Sequence, residues 1–190
     1  STSYNLGILH KSNSNIQIEA GLFYHNPKNQ IDAVPVATGT SISQLYTYRN
    51  HPRAVNKGLE ANLQWQVNTD LNLQLGYQYL VAKDLSVLDS IRAGNWPYNQ
   101  NLHNPETGQS SAPTTADYWG IVNRSRHMLN LRLFYQYRPW NTQFSIRANY
   151  RGKYPFADYN NNQFIDRFDT FVPQHVLLNA FLEKRLLQDR

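Results

Sequence analysis

Among the residues able to do chemistry, the densest set lies in Asp158-Tyr159-Asn160-Asn161-Asn162-Gln163-Phe164-Ile165-Asp166-Arg167-Phe168-Asp169. Numbered as a calcium loop, this stretch puts side-chain oxygens of Asp158, Asn160 and Asn162 at positions 1, 3 and 5. Position 7 offers the Phe164 carbonyl, and Asp166 and Asp169 fall at positions 9 and 12. Hard oxygen donors on a short curved backbone suit calcium, whose role would be to rigidify the loop. Against this, Gln163 stands where such loops need Gly, Asp169 replaces the longer bidentate Glu, and no flanking helices are evident. Asn and Asp also serve simply as turn formers. The six histidines, His10, His25, His51, His103, His127 and His175, form no metal-spaced pair. Glu60 is a lone carboxylate, and no nucleophile stands beside a base, so an enzyme is not expected. Trp96, Tyr98, Tyr118 and Trp119 cluster in one long connection, where they can stack on a planar or sugar-like ligand or pin that connection to its neighbours.

The elements that must position these residues are long alternating strands. Lys57, Leu59, Ala61, Leu63, Trp65 and Val67 alternate with Gly58, Glu60, Asn62, Gln64 and Gln66. After a short break the pattern resumes as Leu71, Leu73, Leu75, Tyr77, Tyr79 and Val81. One face seeks hydrocarbon or a core and the other water. Soluble strands commonly run about 5–6 residues, whereas a tilted strand crossing a membrane needs roughly 9–11. Seven strands are expected, at about 2–10, 15–25, 45–67, 70–84, 125–138, one through Phe144–Tyr150, and 173–185. The third should be disturbed at Pro52, which cannot donate a ladder hydrogen bond. Connections alternate between short turns (Lys11–Ser14, Asn68–Asp70, Pro139–Thr142) and long loops at about 25–44, 85–124 and 153–172. The expected pairings are Trp65 with Leu73, Leu63 with Leu75, Tyr137 with Phe144 and Tyr135 with Ile146.

This pattern reads as an all-β, antiparallel transmembrane β-barrel segment with its long loops outside the cell. In that geometry Glu60, Arg132, Arg147 and Arg151 face the lumen, where they would be solvated or would meet an inner domain or an anionic cargo. The 13 Tyr, 8 Phe and 4 Trp among 190 residues suit strand ends at a headgroup boundary. No apolar run reaches the length of a membrane helix, about 18 residues. Cysteine is absent, which excludes disulfides and thiolate metal sites. The formal charge of +5 is scattered, with no basic helix or aromatic–basic platform, so no nucleic-acid partner is expected. Ser1–Asn5 already reads as strand, as in a processed or internally cut chain. Seven is odd where such barrels have even strand numbers, and an open edge at membrane depth leaves backbone groups unsatisfied. The chain is therefore expected to be part of a larger barrel. The rival readings are a passive porin-like channel and a soluble carbohydrate-binding β-domain.

Several phrases sharpen this. Tyr48-Arg49-Asn50-His51-Pro52-Arg53-Ala54-Val55-Asn56-Lys57-Gly58-Leu59-Glu60-Ala61 resembles a pattern of Asn, a short spacer and Gly-(Val/Leu)-Glu that opens a long descending strand in TonB-dependent outer-membrane receptors. Leu75-Gly76-Tyr77-Gln78-Tyr79-Leu80 resembles the next ascending strand, and Asn123-Arg124-Ser125-Arg126-His127-Met128-Leu129-Asn130 the descent from a large outer loop. Ile18–Ile31 fits the preceding strand and loop. The resemblance covers nearly the whole chain and implies the C-terminal part of a barrel of about 22 strands. It also implies an outer-membrane location and a receptor that imports a large nutrient. The implied partners are the remaining barrel strands, a plug domain, the TonB complex acting through that plug, outer-membrane lipid and a surface lipoprotein. The plug and its energy-coupling segment are absent from this sequence. The loop phrases look most like Bacteroidota receptors for haem or cobalamin. In a haem receptor His103 would be a candidate axial ligand, beside Trp96, Tyr98, Tyr118 and Trp119 in the cargo site.

Overall fold

The computed structural model describes residues 1–12, 15–36 and 45–186. Its main sheet is antiparallel throughout. It contains β1 (Thr2–Ser12), β2 (Ile16–Asn26), β3 (Lys28–Val36), β4 (Leu45–Gln66), β5 (Leu71–Asp84), β8 (His127–Tyr137), β9 (Thr142–Arg151) and β12 (His175–Lys184). Between β5 and β8 lie helix α1 (Leu85–Ala93) and a small ribbon of β6 (Leu102–His103) and β7 (Ser110–Ser111). Between β9 and β12 a second ribbon joins β10 (Tyr154–Ala157) to β11 (Thr170–Val172). The strand order is β1-β2-β4-β5-β8-β9-β12, with β3 also paired to β4.

Register carries the amphipathic pattern from strand to strand. One row runs through His10, Ile18, Leu63, Leu75, Leu131, Ala148 and Leu178. The next joins Ile16, Trp65, Leu73, Leu133, Ile146 and Ala180. The opposite face carries Gln17, Gln64, Gln74, Arg132, Arg147 and Asn179 in one row. Among the described residues nothing covers the apolar face: Leu6 is 71% exposed, Ile8 73% and Leu178 67%. A contiguous apolar surface of this extent is foreign to a protein surrounded by water.

Gly58 shows why one motif position takes glycine. A Cβ there would lie 1.8 Å from the Tyr79 carbonyl oxygen and 2.9 Å from the Phe23 ring. The backbones of β4 and β5 thus approach where a side chain would force them apart.

Four expectations are corrected. Residues 28–36 form β3 rather than loop, extending the β2–β4 ladder in the same register. Residues 37–44 lie outside the described residues. The Pro52 disturbance does not break β4. It is absorbed on the partner strand, where the ladder passes from Lys28↔Arg53 to Gln30↔His51 and Asn29 adopts φ 56°. The β8–β9 register differs by two residues from expectation, with Tyr135 opposite Phe144 and Leu133 opposite Ile146. The turn is Arg138–Asn141 rather than Pro139–Thr142, because Asn141 takes the left-handed conformation and Thr142 already pairs with Tyr137. A two-residue shift preserves faces, so the amphipathic reading survives it. The β4–β5 pairs Leu63–Leu75 and Trp65–Leu73 are as expected, while Asn13 and Ser14 of the first turn lie outside the described residues.

Leu75 sits in the middle of an apolar row and Gln74 in the polar row beside it. In the membrane-inserted protein Leu75→Arg is expected to lower unfolding stability by about 2–4 kcal/mol, and Gln74→Arg by far less. Urea titration in lipid vesicles measures both, and equal losses would refute the two-faced assignment.

Candidate functional site

The buried residues gather at one end of the sheet, among the long connections. Val87, Ile91, Leu102, Tyr118 and Phe164 form one cluster, with Leu88, Tyr98 and Phe168 packed on it. Helix α1 belongs there for local reasons. Asp84 caps its N-terminus by accepting from the Ser86 amide at 2.8 Å, Gly94 closes it in the left-handed conformation, and Val87 and Ile91 share one face. Sequence reading placed no helix in 85–124, although the Asp84 and Gly94 cap signals bracket it.

Asp84 has a second task. Its other carboxylate oxygen lies 2.9 Å from His51 Nδ1, and both residues are buried. His51 Nε2 is 3.8 Å from Asp32, which accepts from Arg124 at 2.9 Å and from Gln30 at 2.8 Å. Four segments meet in this network: β3, β4, the β5–α1 junction and the approach to β8. The Tyr118 hydroxyl accepts from the Asp84 amide at 3.1 Å. Burial pushes its phenol well above the usual range. In sequence His51 is one of six histidines without a metal-spaced partner, and its structural role is not visible there. The signal was the meeting of Asn50-His51-Pro52 with the Asp84 helix cap, which only β4–β5 register reveals.

Next to this network lies a cavity of about 300 Å³, bordered by Tyr48, Arg49, His51, Tyr118, Ile121 and Phe164. Gly120 allows the wall to close: at φ 137° it lets the chain lie against β5, where a Cβ would meet the Ala82 carbonyl oxygen at 2.2 Å.

The expected aromatic ligand surface is divided. Tyr118 is 3% exposed and meets Phe164 edge to face, and Tyr98 stacks on the same ring at 6.4 Å. Both pin the connection to its neighbours. Trp119 is half-buried between Phe171 and the Arg126 guanidinium, 3.9 Å from its ring centre. Trp96 is 79% exposed, and His103 is exposed on the β6–β7 ribbon, with Nδ1 2.6 Å from Ser110 Oγ.

In the 158–169 loop most acidic oxygens serve the loop itself, while Asp158 Oδ1 is buried without a hydrogen-bond partner among the described residues. Asp169 accepts from the amides of Tyr159 and Asp166, Asp158 from that of Gln163, and Asp166 from that of Phe168. The side-chain amides of Asn160 and Asn162 both donate to Asp166, at 3.0 and 2.9 Å, turning nitrogen where a calcium ion would need oxygen. Phe164 buries its ring in the loop core. This arrangement is a set of Asx turns. Among the described residues no group of three or more His, Cys, Asp or Glu is placed to hold a metal ion. Burial, together with the charges of Asp166 and Asp158 and against the hydrogen bonds of Asp166 and Tyr159, pushes Asp169 up to about 7.

Glu60, Arg132, Arg147 and Arg151 share the polar face, as expected from alternation. Glu60 accepts from Gln78 at 2.6 Å. Arg132 and Arg147 stand directly opposite one another, and among the described residues neither is in an ion pair. Arg151 is committed to the loop base, donating to Ser125 Oγ and the Asn123 carbonyl and lying 3.6 Å over the Tyr154 ring.

The family described as TonB dependent receptor-like, beta-barrel matches residues 1–187. No curated protein sequence matches the chain. Among solved structures, the chain is similar to the siderophore receptor PiuA from Acinetobacter baumannii (16% identity, TM-score 0.58, 98% of this chain). It is similar also to a mutant of the ferric enterobactin receptor PfeA from Pseudomonas aeruginosa (19%, 0.56, 98%). A third likeness is to the FrpB iron transporter from Neisseria meningitidis (12%, 0.54, 96%). The chain spans only 22%, 23% and 23% of those chains, respectively.

Two outcomes are expected for the loop core. Phe164→Ala should cost about 3–5 kcal/mol of local stability. It should open 85–124 and 158–169 to protease together while the strands stay protected; cleavage of one segment alone would refute a shared core. Asp169, with a raised folded-state value, favours the folded loop fully below its ordinary 3.8 and loses that contribution as pH rises through about 7. Hydrogen exchange at the Tyr159 amide, corrected for intrinsic rate, should therefore accelerate between pH 5 and pH 8, and Asp169→Asn should flatten the profile.

Proposed function

Because the chain belongs to the TonB-dependent receptor-like β-barrel family, and so to the outer membrane, we propose that it forms one wall sector of a plugged barrel importing a large nutrient. The carrying observation is the sheet that is apolar across seven strands on one face and polar on the other. Lipid takes the first face. The second lines a passage filled by a plug domain and water. The remaining strands of a barrel of about 22 close the wall beyond β1 and β12. The work is transport, driven when the TonB complex pulls on the plug, and no covalent chemistry falls to this chain.

Arg132 and Arg147 suit that arrangement. Like charges directly opposite on a sheet destabilise it, and carboxylates of a plug, or an anionic cargo in transit, would supply the missing counter-charge. The long connections, including the loop core around Phe164, lie on the extracellular side in this reading. Trp96 and His103, the exposed members of the aromatic set, meet cargo first. The similar solved structures are named as siderophore and iron receptors. The cargo proposed for this chain is a haem- or cobalamin-sized nutrient, with a ferric siderophore as the neighbouring choice.

Deleting the gene that carries this chain is expected to abolish growth on haem or cobalamin as the limiting source, and loss of TonB should do the same. Growth that survives loss of TonB but not of the receptor would select a passive channel instead. Failure confined to a ferric siderophore would replace the cargo and keep the receptor.

A further inference from the structure

The apolar face ends in cations at the loop end of the sheet. One row near that end joins Leu59, Tyr79 and His127, with His127 Nδ1 2.8 Å from the Tyr77 hydroxyl, and the next sets Lys57 between Tyr24 and Val81. Lys57 and Lys83 lie on the same face, each an even number of residues from its neighbour in the first of these rows. Lys83 is within electrostatic reach of Arg126 and Lys57. Arg126 stacks on Trp119, and Lys153 Nζ lies 5.8 Å from the same ring and 4.2 Å from Phe171. The two rings meet edge to face at 5.0 Å.

Among the described residues none of these four cations is in an ion pair. Aromatic rings fix the position of three of them without neutralising charge, Lys83 Nζ lying 5.4 Å from the centre of the Tyr118 ring. Four like charges held along one rim call for an external anion. This rim begins where the apolar band stops, and amphipathic Tyr and His side chains mark the boundary, which is the depth of lipid headgroups. We propose that Lys57, Lys83, Arg126 and Lys153, set around Trp119, bind the phosphate headgroup of a membrane lipid whose acyl chains lie along the apolar rows. The inference rests on the outer-membrane reading above.

The test uses the complete receptor carrying this chain, inserted into vesicles of equal parts phosphatidylglycerol and phosphatidylcholine and then extracted for native mass spectrometry. Wild-type protein is expected to retain phosphatidylglycerol in preference to phosphatidylcholine, with retention weakened about fivefold per removed charge in Lys57→Gln, Arg126→Gln and Lys153→Gln. Lys57→Arg and Lys153→Arg should restore it, which separates charge from folding. Heat-dependent gel mobility reports that each variant is folded. Retention unchanged in a folded triple Gln variant would overturn the proposal. So would displacement of the lipid by inorganic phosphate but not by sodium chloride of equal ionic strength, which would mark a free-anion site. Failure of the wild type to insert into vesicles would instead overturn the membrane reading itself.

Discussion

Everything in this chain depends on the phase of a two-residue period. A β-strand puts successive side chains on opposite faces, so a sheet is apolar on one side only if neighbouring strands pair in phase. Here the phase holds from β1 to β12 through six antiparallel interfaces. A slip of one residue between β4 and β5 would place Trp65 beside Asn72 or Gln74 and turn a continuous hydrocarbon surface into a mixed one. Backbone hydrogen bonding adds to the demand, because in a bilayer each ladder group must find its partner within the sheet. Side-chain partition and backbone pairing thus specify the same register, and the close approach at Gly58 fixes one of its points.

The loop end obeys different rules. Its core is small, buried and built from side chains that are far apart in sequence: Val87 and Ile91 from α1, Tyr118 from the approach to β8, Phe164 from the connection beyond β10. His51 and Asp84 tie this core to the strands beneath it through a buried hydrogen bond. Removing one partner of such a pair leaves the other desolvated, which costs more than the bond contributes. The two regions are consequently separable in energy. The strands are held by their ladder and their surroundings, and the loops by a miniature core resembling that of a water-soluble domain.

The sequence made the strands legible because each carries its own signal. Alternation over ten or more residues needs no knowledge of a partner, and Leu63–Leu75 follows from the short turn between β4 and β5. The β8–β9 register was legible only to within two residues, since faces are preserved by that shift and the turn geometry rests on Asn141 adopting a left-handed conformation. The loop core was not legible. Tyr118 and Trp119 are adjacent, yet one is buried on Phe164 and the other is packed under Arg126, and nothing in local composition distinguishes them. The acidic loop was ambiguous in sequence for a related reason. Ligand spacing fixes which residues are near one another, whereas hydrogen bonding to Asn160 and Asn162 fixes where the Asp166 oxygens point.

A sheet exposed on both faces cannot be stabilised by its own packing. The apolar rows gain free energy only when hydrocarbon replaces water against them, and the opposed Arg132–Arg147 pair is relieved only by charge from outside the sheet. Substitutions in the strands therefore act through the environment on the side they face, lipid on the apolar side and whatever meets the polar rows on the other. Substitutions in the loop core act through contacts internal to the chain. The same residue type has different consequences in the two places: Leu75 is valuable because of what surrounds the protein, and Phe164 because of what the protein folds around it.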